Sequence, residues 1–153
     1  MTARTQTTLD YSDRIHAESS KNFMVVSQNI HATEAGYEIL NNGGNAVDAA
    51  VAVGFVLAVT LPRAGNLGGG GFMLIYDKEN NKVETIDYRS AAPRSAKSEM
   101  FIEDSNIVRF GHLVNAVPGS VAGLIKAHEK HGSLSLKDVM KPSVRLAKNG
   151  IPV

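Results

Sequence analysis

The sequence predicts a mixed α/β (α+β) fold that is incomplete within this chain, on three observations. Residues Ala46 to Thr60 form one helix that is apolar nearly all round. A single hairpin signature lies over residues 71–88, and shorter helices with one apolar stripe lie on either side. A helix without a polar face belongs in the centre of something larger. One hairpin and a few short helices give it little cover.

The elements follow in chain order. Residues 1–22 are polar and charged without a sustained period, and read as a flexible tail ahead of an organised segment, 23–153. Met24-Val25-Val26-Ser27 is a short strand candidate. From His31 to Asn41, Ala32, Ala35, Gly36, Ile39 and Leu40 recur on one helical stripe. Asn42-Gly43-Gly44 ends that helix, because glycine takes the left-handed cap without steric cost. Asn45 is a favoured N-cap for the next helix, and Asp48 is spaced to reach back to its free amides. Leu61-Pro62 stops it. Gly71 to Tyr76 reads as a strand, Asp77 to Asn81 as a polar turn, and Lys82 to Tyr88 alternates as the partner strand. Residues 90–117 have no regular pattern. Pro118-Gly119-Ser120 opens a third helix, with Val121, Leu124, Ile125 and His128 on one face and Gly132 at its end. Ser135 and Asp138 form a capping-box-like start to a fourth. Pro142 is expected to kink or split that helix, and Asn149-Gly150 to end it.

Composition narrows the function. A net charge of +1 gives no bulk attraction for nucleic acid or an acidic membrane. The chain has no cysteine, so disulfides, thiol catalysis and zinc–thiolate sites are excluded. The most apolar run, Ala46 to Leu61, is about 16 residues against the ~20 a membrane span needs, and it carries Asp48. The polar start has no stretch of signal-peptide character, which leaves the compartment open. Neither a metal nor a cofactor is called for. The histidines are His16, His31, His112, His128 and His131. Only His128 and His131 share a helical face, and they read as surface residues complementing a helix C-terminus rather than as a metal pair.

The glycine run Gly68 to Gly71 invites comparison with a phosphate loop. It lacks the Lys-Ser/Thr such a loop requires and leads into a strand, not a helix, so close passage of backbone is the better reading. Arg89 stands where the second strand ends. A strand end is a firm mount and a guanidinium binds a carboxylate with two parallel bonds. The residues alone leave open a ligand carboxylate, a structural ion pair or a solvated charge.

The succession GGNAVDAAVAVGFVLAVTLPRAGNLGGGGFMLIYD, then IDYRSAAP, then VPGSVAGL, closely resembles the N-terminal part of the large subunit of γ-glutamyltransferases, also called glutathione hydrolases. The resemblance runs from about Met24 to the end of the chain and covers roughly the first quarter of the family's precursor. It implies an N-terminal-nucleophile hydrolase fold, a four-layer αββα sandwich, of which this chain holds a part. It implies a precursor that cuts itself into large and small subunits. The N-terminal Thr of the small subunit then attacks the γ-glutamyl amide of a substrate such as glutathione, and the acyl group passes to water, an amino acid or a peptide. Arg89 matches the family's arginine for the substrate α-carboxylate. Ser90 stands where the family often has Glu. The partners implied are the remainder of the large subunit and the Thr-bearing small subunit. The family is commonly periplasmic, secreted or membrane-anchored.

A threonine nucleophile of this kind needs its own free amine as base. Removal of Met1 would expose Thr2, yet Ala3 to Thr7 lacks the apolar alternation that would hold it rigidly. No catalytic residue is therefore assigned in this chain, which is expected to be inactive alone. Two other readings are a non-catalytic binding module and a related acylase acting on β-lactam side chains or poly-γ-glutamate.

Overall fold

A computed structural model describes residues 18–103 and 110–151. Thr2, His16 and the greater part of the tail assigned to residues 1–22 lie outside the described residues. The elements are α1 (Ile30–Asn41), α2 (Ala46–Thr60), β1 (Phe72–Asp77), β2 (Lys82–Asp87), α3 (Glu99–Glu103), a 3-10 turn (His112–Val114), α4 (Ser120–His131) and α5 (Leu136–Asn149).

Helix α2 is the centre of the packing and is covered by α1, α4 and α5. Val51, Ala52 and Val56 are fully buried, and Val47, Ala49 and Phe55 nearly so. The second half is less covered: Val53, Leu57, Ala58 and Val59 are only half-buried. Helix α1 starts on Asn29, whose Oδ1 accepts from the His31 amide at 3.0 Å. It ends as expected with Gly43 at φ +88°, a conformation that favours glycine.

The β1–β2 hairpin pairs Phe72 with Asp87 and Tyr76 with Val83 in antiparallel register. Met73, Ile75 and Ile86 face the core around α2 and α4. On the opposite face Phe72 and Leu74 are 70% and 71% exposed, with Tyr76 and Val83 beside them. This second face is an apolar sheet surface that nothing among the described residues covers.

Four expectations from the sequence need correction. Met24–Ser27 forms no strand, because no neighbouring chain pairs with it among the described residues. Val25 instead packs against Gly36 of α1, where even a Cβ would come within 2.7 Å of it. Of the kink or split expected at Pro142, the split is not found: α5 runs unbroken from Leu136 to Asn149. The proline ring is fully buried, and that burial offsets the lost backbone bond. The stretch 90–117 is not wholly irregular: it holds α3, the 3-10 turn and a bridge between Ala91 and Val117. Finally, His128 is no surface residue. Its side chain is 11% exposed, and its Nε2 lies 2.9 Å from the Leu134 carbonyl and 3.6 Å from Asp48. His131 is half-buried, 3.4 Å from Glu84.

Asp48 explains why the loop after α4 folds back on α2. Its carboxylate is wholly buried. It accepts from the Asn45 amide at 3.0 Å, closing the expected capping box. It also accepts from the Ser133 amide at 3.0 Å, the Ser133 hydroxyl at 2.6 Å and the Leu134 amide at 3.3 Å. Asn45 donates in turn to the His131 carbonyl at 2.6 Å. Burial pushes the Asp48 carboxyl up, but the Ser133 hydroxyl and the three amides together outweigh it and hold the group below its ordinary value. A depressed carboxyl contributes stability that is fully present above its unfolded value, about pH 4, and is lost as pH falls through the folded value. Asp48→Asn is therefore expected to flatten the acid side of a plot of unfolding temperature against pH. Asp48→Ala is expected to cost about 3 kcal/mol at neutral pH, because three amides lose their acceptor. An unchanged acid slope in Asp48→Asn would contradict this account.

Candidate functional site

The strand-end segment Tyr88–Ala91 runs between two other stretches of backbone. On one side the Tyr88 amide donates to the Gly71 carbonyl at 3.0 Å, and the Gly71 amide returns a bond to the Tyr88 carbonyl at 3.3 Å. On the other side Ala91 and Val117 exchange amide-to-carbonyl bonds at 3.1 and 2.8 Å. The glycine loop is fastened to α4 as well. The Gly69 carbonyl accepts from the Gly119 amide at 2.8 Å and the Ser120 amide at 3.1 Å, satisfying donors that a helix start leaves free. Arg89 is thus mounted on backbone fixed at Tyr88 before it and at Ala91 after it.

Space, not backbone dihedral, is what requires glycine here. None of Gly68 to Gly71 has positive φ. A Cβ on Gly70 would lie 2.6 Å from the Tyr88 carbonyl oxygen and 2.8 Å from the Arg89 carbonyl carbon. On Gly71 it would lie 2.8 Å from the Tyr88 ring. On Gly119 it would overlap the Tyr88 carbonyl, and on Gly123 the base of the Tyr88 ring. Tyr88 lies across these glycines half-buried, and burial pushes its phenol up from the ordinary value. Its ring also borders a cavity of about 170 Å³ with Gly54, Leu57, Asn66, Ser120 and Leu124. Arg89 is not part of that cavity's lining.

Arg89 itself is exposed. Its amide donates to Asp87 Oδ1 at 2.9 Å, and Nη1 lies 3.4 Å from the Ser90 hydroxyl, a long and weak contact. No carboxylate among the described residues lies within ion-pair distance of the guanidinium. The structural ion pair left open by the sequence is therefore not formed among them. Ion pairs among the described residues form elsewhere. Glu84 of β2 binds Lys130 and approaches His131 of α4, and Glu38 of α1 binds Arg145 of α5 at 2.8 Å. Sequence reasoning named Arg89 but missed Gly119, Gly123 and Ser133. The glycines were legible only as two small residues one helical turn apart, and their importance depends on Tyr88, which is remote in sequence.

The incomplete α/β arrangement, one hairpin layered against helices, is part of an N-terminal-nucleophile hydrolase fold. The gamma-glutamyltranspeptidase family model matches residues 32–153, and the chain belongs to that family. It is 47% identical over 146 residues to the glutathione hydrolase proenzyme of Escherichia coli (strain K12), a match covering 92% of this chain and 25% of that protein. The gamma-glutamyltranspeptidase of Helicobacter pylori superposes with a TM-score of 0.83 at 38% identity, over 89% of this chain and 40% of that one. The enzyme from Pseudomonas nitroreducens, solved in complex with L-DON, superposes with a TM-score of 0.78 at 39% identity, over 84% and 39%. The chain spans about a quarter of the length of the curated relatives it matches.

Backbone crowding around Arg89 gives a direct expectation. Gly70→Ala should destabilise by about 3 kcal/mol, since the obstructing atoms are backbone and cannot rotate away. Gly69→Ala should cost less than about 1 kcal/mol, because its nearest neighbour would be 3.4 Å away. Urea unfolding midpoints of the two variants measure the difference. Equal midpoints would show that the crowding is not what holds this segment.

Proposed function

We propose that this segment serves a γ-glutamyltransferase, or glutathione hydrolase, by holding the α-carboxylate of the γ-glutamyl substrate on Arg89. The bond-breaking threonine belongs to polypeptide beyond it. The observation that carries this reading is a guanidinium that is exposed, has no carboxylate partner among the described residues, and stands on backbone braced on both sides. A charge kept free on a rigid mount suits capture of an anion from solution, and the planar fork matches a carboxylate with two bonds. The extent of identity to relatives named glutathione hydrolase supports glutathione as a substrate. The uncovered apolar face of the hairpin, with Phe72 and Leu74 out in solvent, supports completion by further polypeptide, including the Thr-bearing subunit. Among the described residues no helix is long and apolar enough to cross a membrane.

Arg89 touches a part of the substrate that does not change during acyl transfer. Its contribution is therefore common to the ground state and the transition state, and appears in KM more than in kcat. In the complete enzyme, Arg89→Lys should raise KM for γ-glutamyl-p-nitroanilide by about tenfold or more, because a point charge cannot replace the fork. An unchanged KM would sink the assignment. The 153-residue chain alone should release no p-nitroaniline from the same substrate. Turnover by that chain, abolished in Thr2→Ala, would overturn the placement of the nucleophile elsewhere.

A further inference from the structure

Asp87 is the carboxylate closest to Arg89 in sequence, and it is not spent on the guanidinium. It is exposed, at the last position of β2 and opposite Phe72 in the hairpin register. Its Oδ1 accepts from the Arg89 backbone amide at 2.9 Å. This is an Asx-type contact, from a side chain to the amide two residues on. The neighbouring amides of Tyr88 and Ala91 are tied to Gly71 and Val117, whereas the Arg89 amide has only Asp87 among the described residues. The bond does two things. It fixes the direction in which the Arg89 side chain leaves the backbone. It also engages the carboxylate closest in sequence with a backbone donor, so that the guanidinium keeps its own donors for a ligand.

We infer that Asp87 is a positioning residue for Arg89, acting through the Arg89 backbone amide and not by touching substrate. This rests on the proposed role of Arg89 in binding the substrate α-carboxylate. It accounts physically for an aspartate two residues before the arginine: the spacing is the one at which a side-chain oxygen reaches the arginine's own amide.

The test is kinetic, in the complete enzyme, with Asp87→Ala, Asp87→Asn and Arg89→Lys assayed side by side on γ-glutamyl-p-nitroanilide. Asp87→Asn keeps an oxygen acceptor at the same place. Asp87→Ala removes it from an exposed site, so the core is not opened. The inference expects Asp87→Ala to raise KM roughly fivefold with kcat within about twofold, and Asp87→Asn to stay within about twofold of the parent in both constants. It also expects the Asp87→Ala penalty to disappear when Arg89 is already Lys, since the two changes act on one contact. If Arg89→Lys raises KM while Asp87→Ala does not, the positioning role is wrong and the carboxylate clamp stands. If Asp87→Asn is as impaired as Asp87→Ala, the charge matters rather than the acceptor, and the inference also fails. If Arg89→Lys leaves KM unchanged, the clamp itself is wrong and the inference falls with it.

Discussion

The site depends on three stretches of backbone passing at the closest distance that chains allow. Gly70-Gly71, Tyr88–Ala91 and Val117–Gly119 lie side by side, joined by paired amide-to-carbonyl bonds. Such proximity is open only to residues without a Cβ at the points of contact, which is why Gly70, Gly119 and Gly123 converge on Tyr88 and Arg89. The result is a short, braced strand end carrying a guanidinium with no carboxylate partner among the described residues. A loop of ordinary residues would stand farther off and leave the arginine to wander. A bidentate contact would then pay the entropy of ordering both the side chain and its support.

That arrangement is transmitted to the core through α4. The Gly69 carbonyl sits on the first amides of α4, and the far end of the same helix leads into the Ser133–Leu134 turn around Asp48. Asp48 in turn caps α2, the most buried element of the chain. Each end of α4 is therefore tied to a separate feature, the glycine loop at its start and the buried carboxylate at its finish. The hairpin adds the Glu84–Lys130 ion pair near that finish, a surface contact of small energetic weight. Paired backbone hydrogen bonds, not surface charge, fix where the arginine stands.

Much of this was legible in the sequence because it is local. The apolar character of Ala46–Thr60, the Asn45–Asp48 cap, the glycine after α1 and the alternation of the hairpin all follow from neighbouring residues, and all are found where expected to within a residue or so. The failures are tertiary. Val25 packs on Gly36, and Met24–Ser27 finds no strand partner among the described residues. The Pro142 ring finds a buried place that a helix-breaking rule does not foresee. His128 looks like a dipole-complementing surface residue until the Ser133 turn folds back over it. At the site, Arg89 could be singled out by its place at a strand end. The glycines that brace it could not, because their constraint comes from Tyr88, more than thirty residues distant from Gly119 and Gly123 along the chain.

The central claim is that a braced Arg89 receives the α-carboxylate of a γ-glutamyl group. The most direct measurement is a crystal structure of the complete enzyme with glutamate bound. The account predicts two guanidinium nitrogens of Arg89 within about 3 Å of the two α-carboxylate oxygens, with the hydrogen bond from the Arg89 amide to Asp87 intact. Glutamate bound with its α-carboxylate on other groups, and Arg89 turned to solvent, would contradict it.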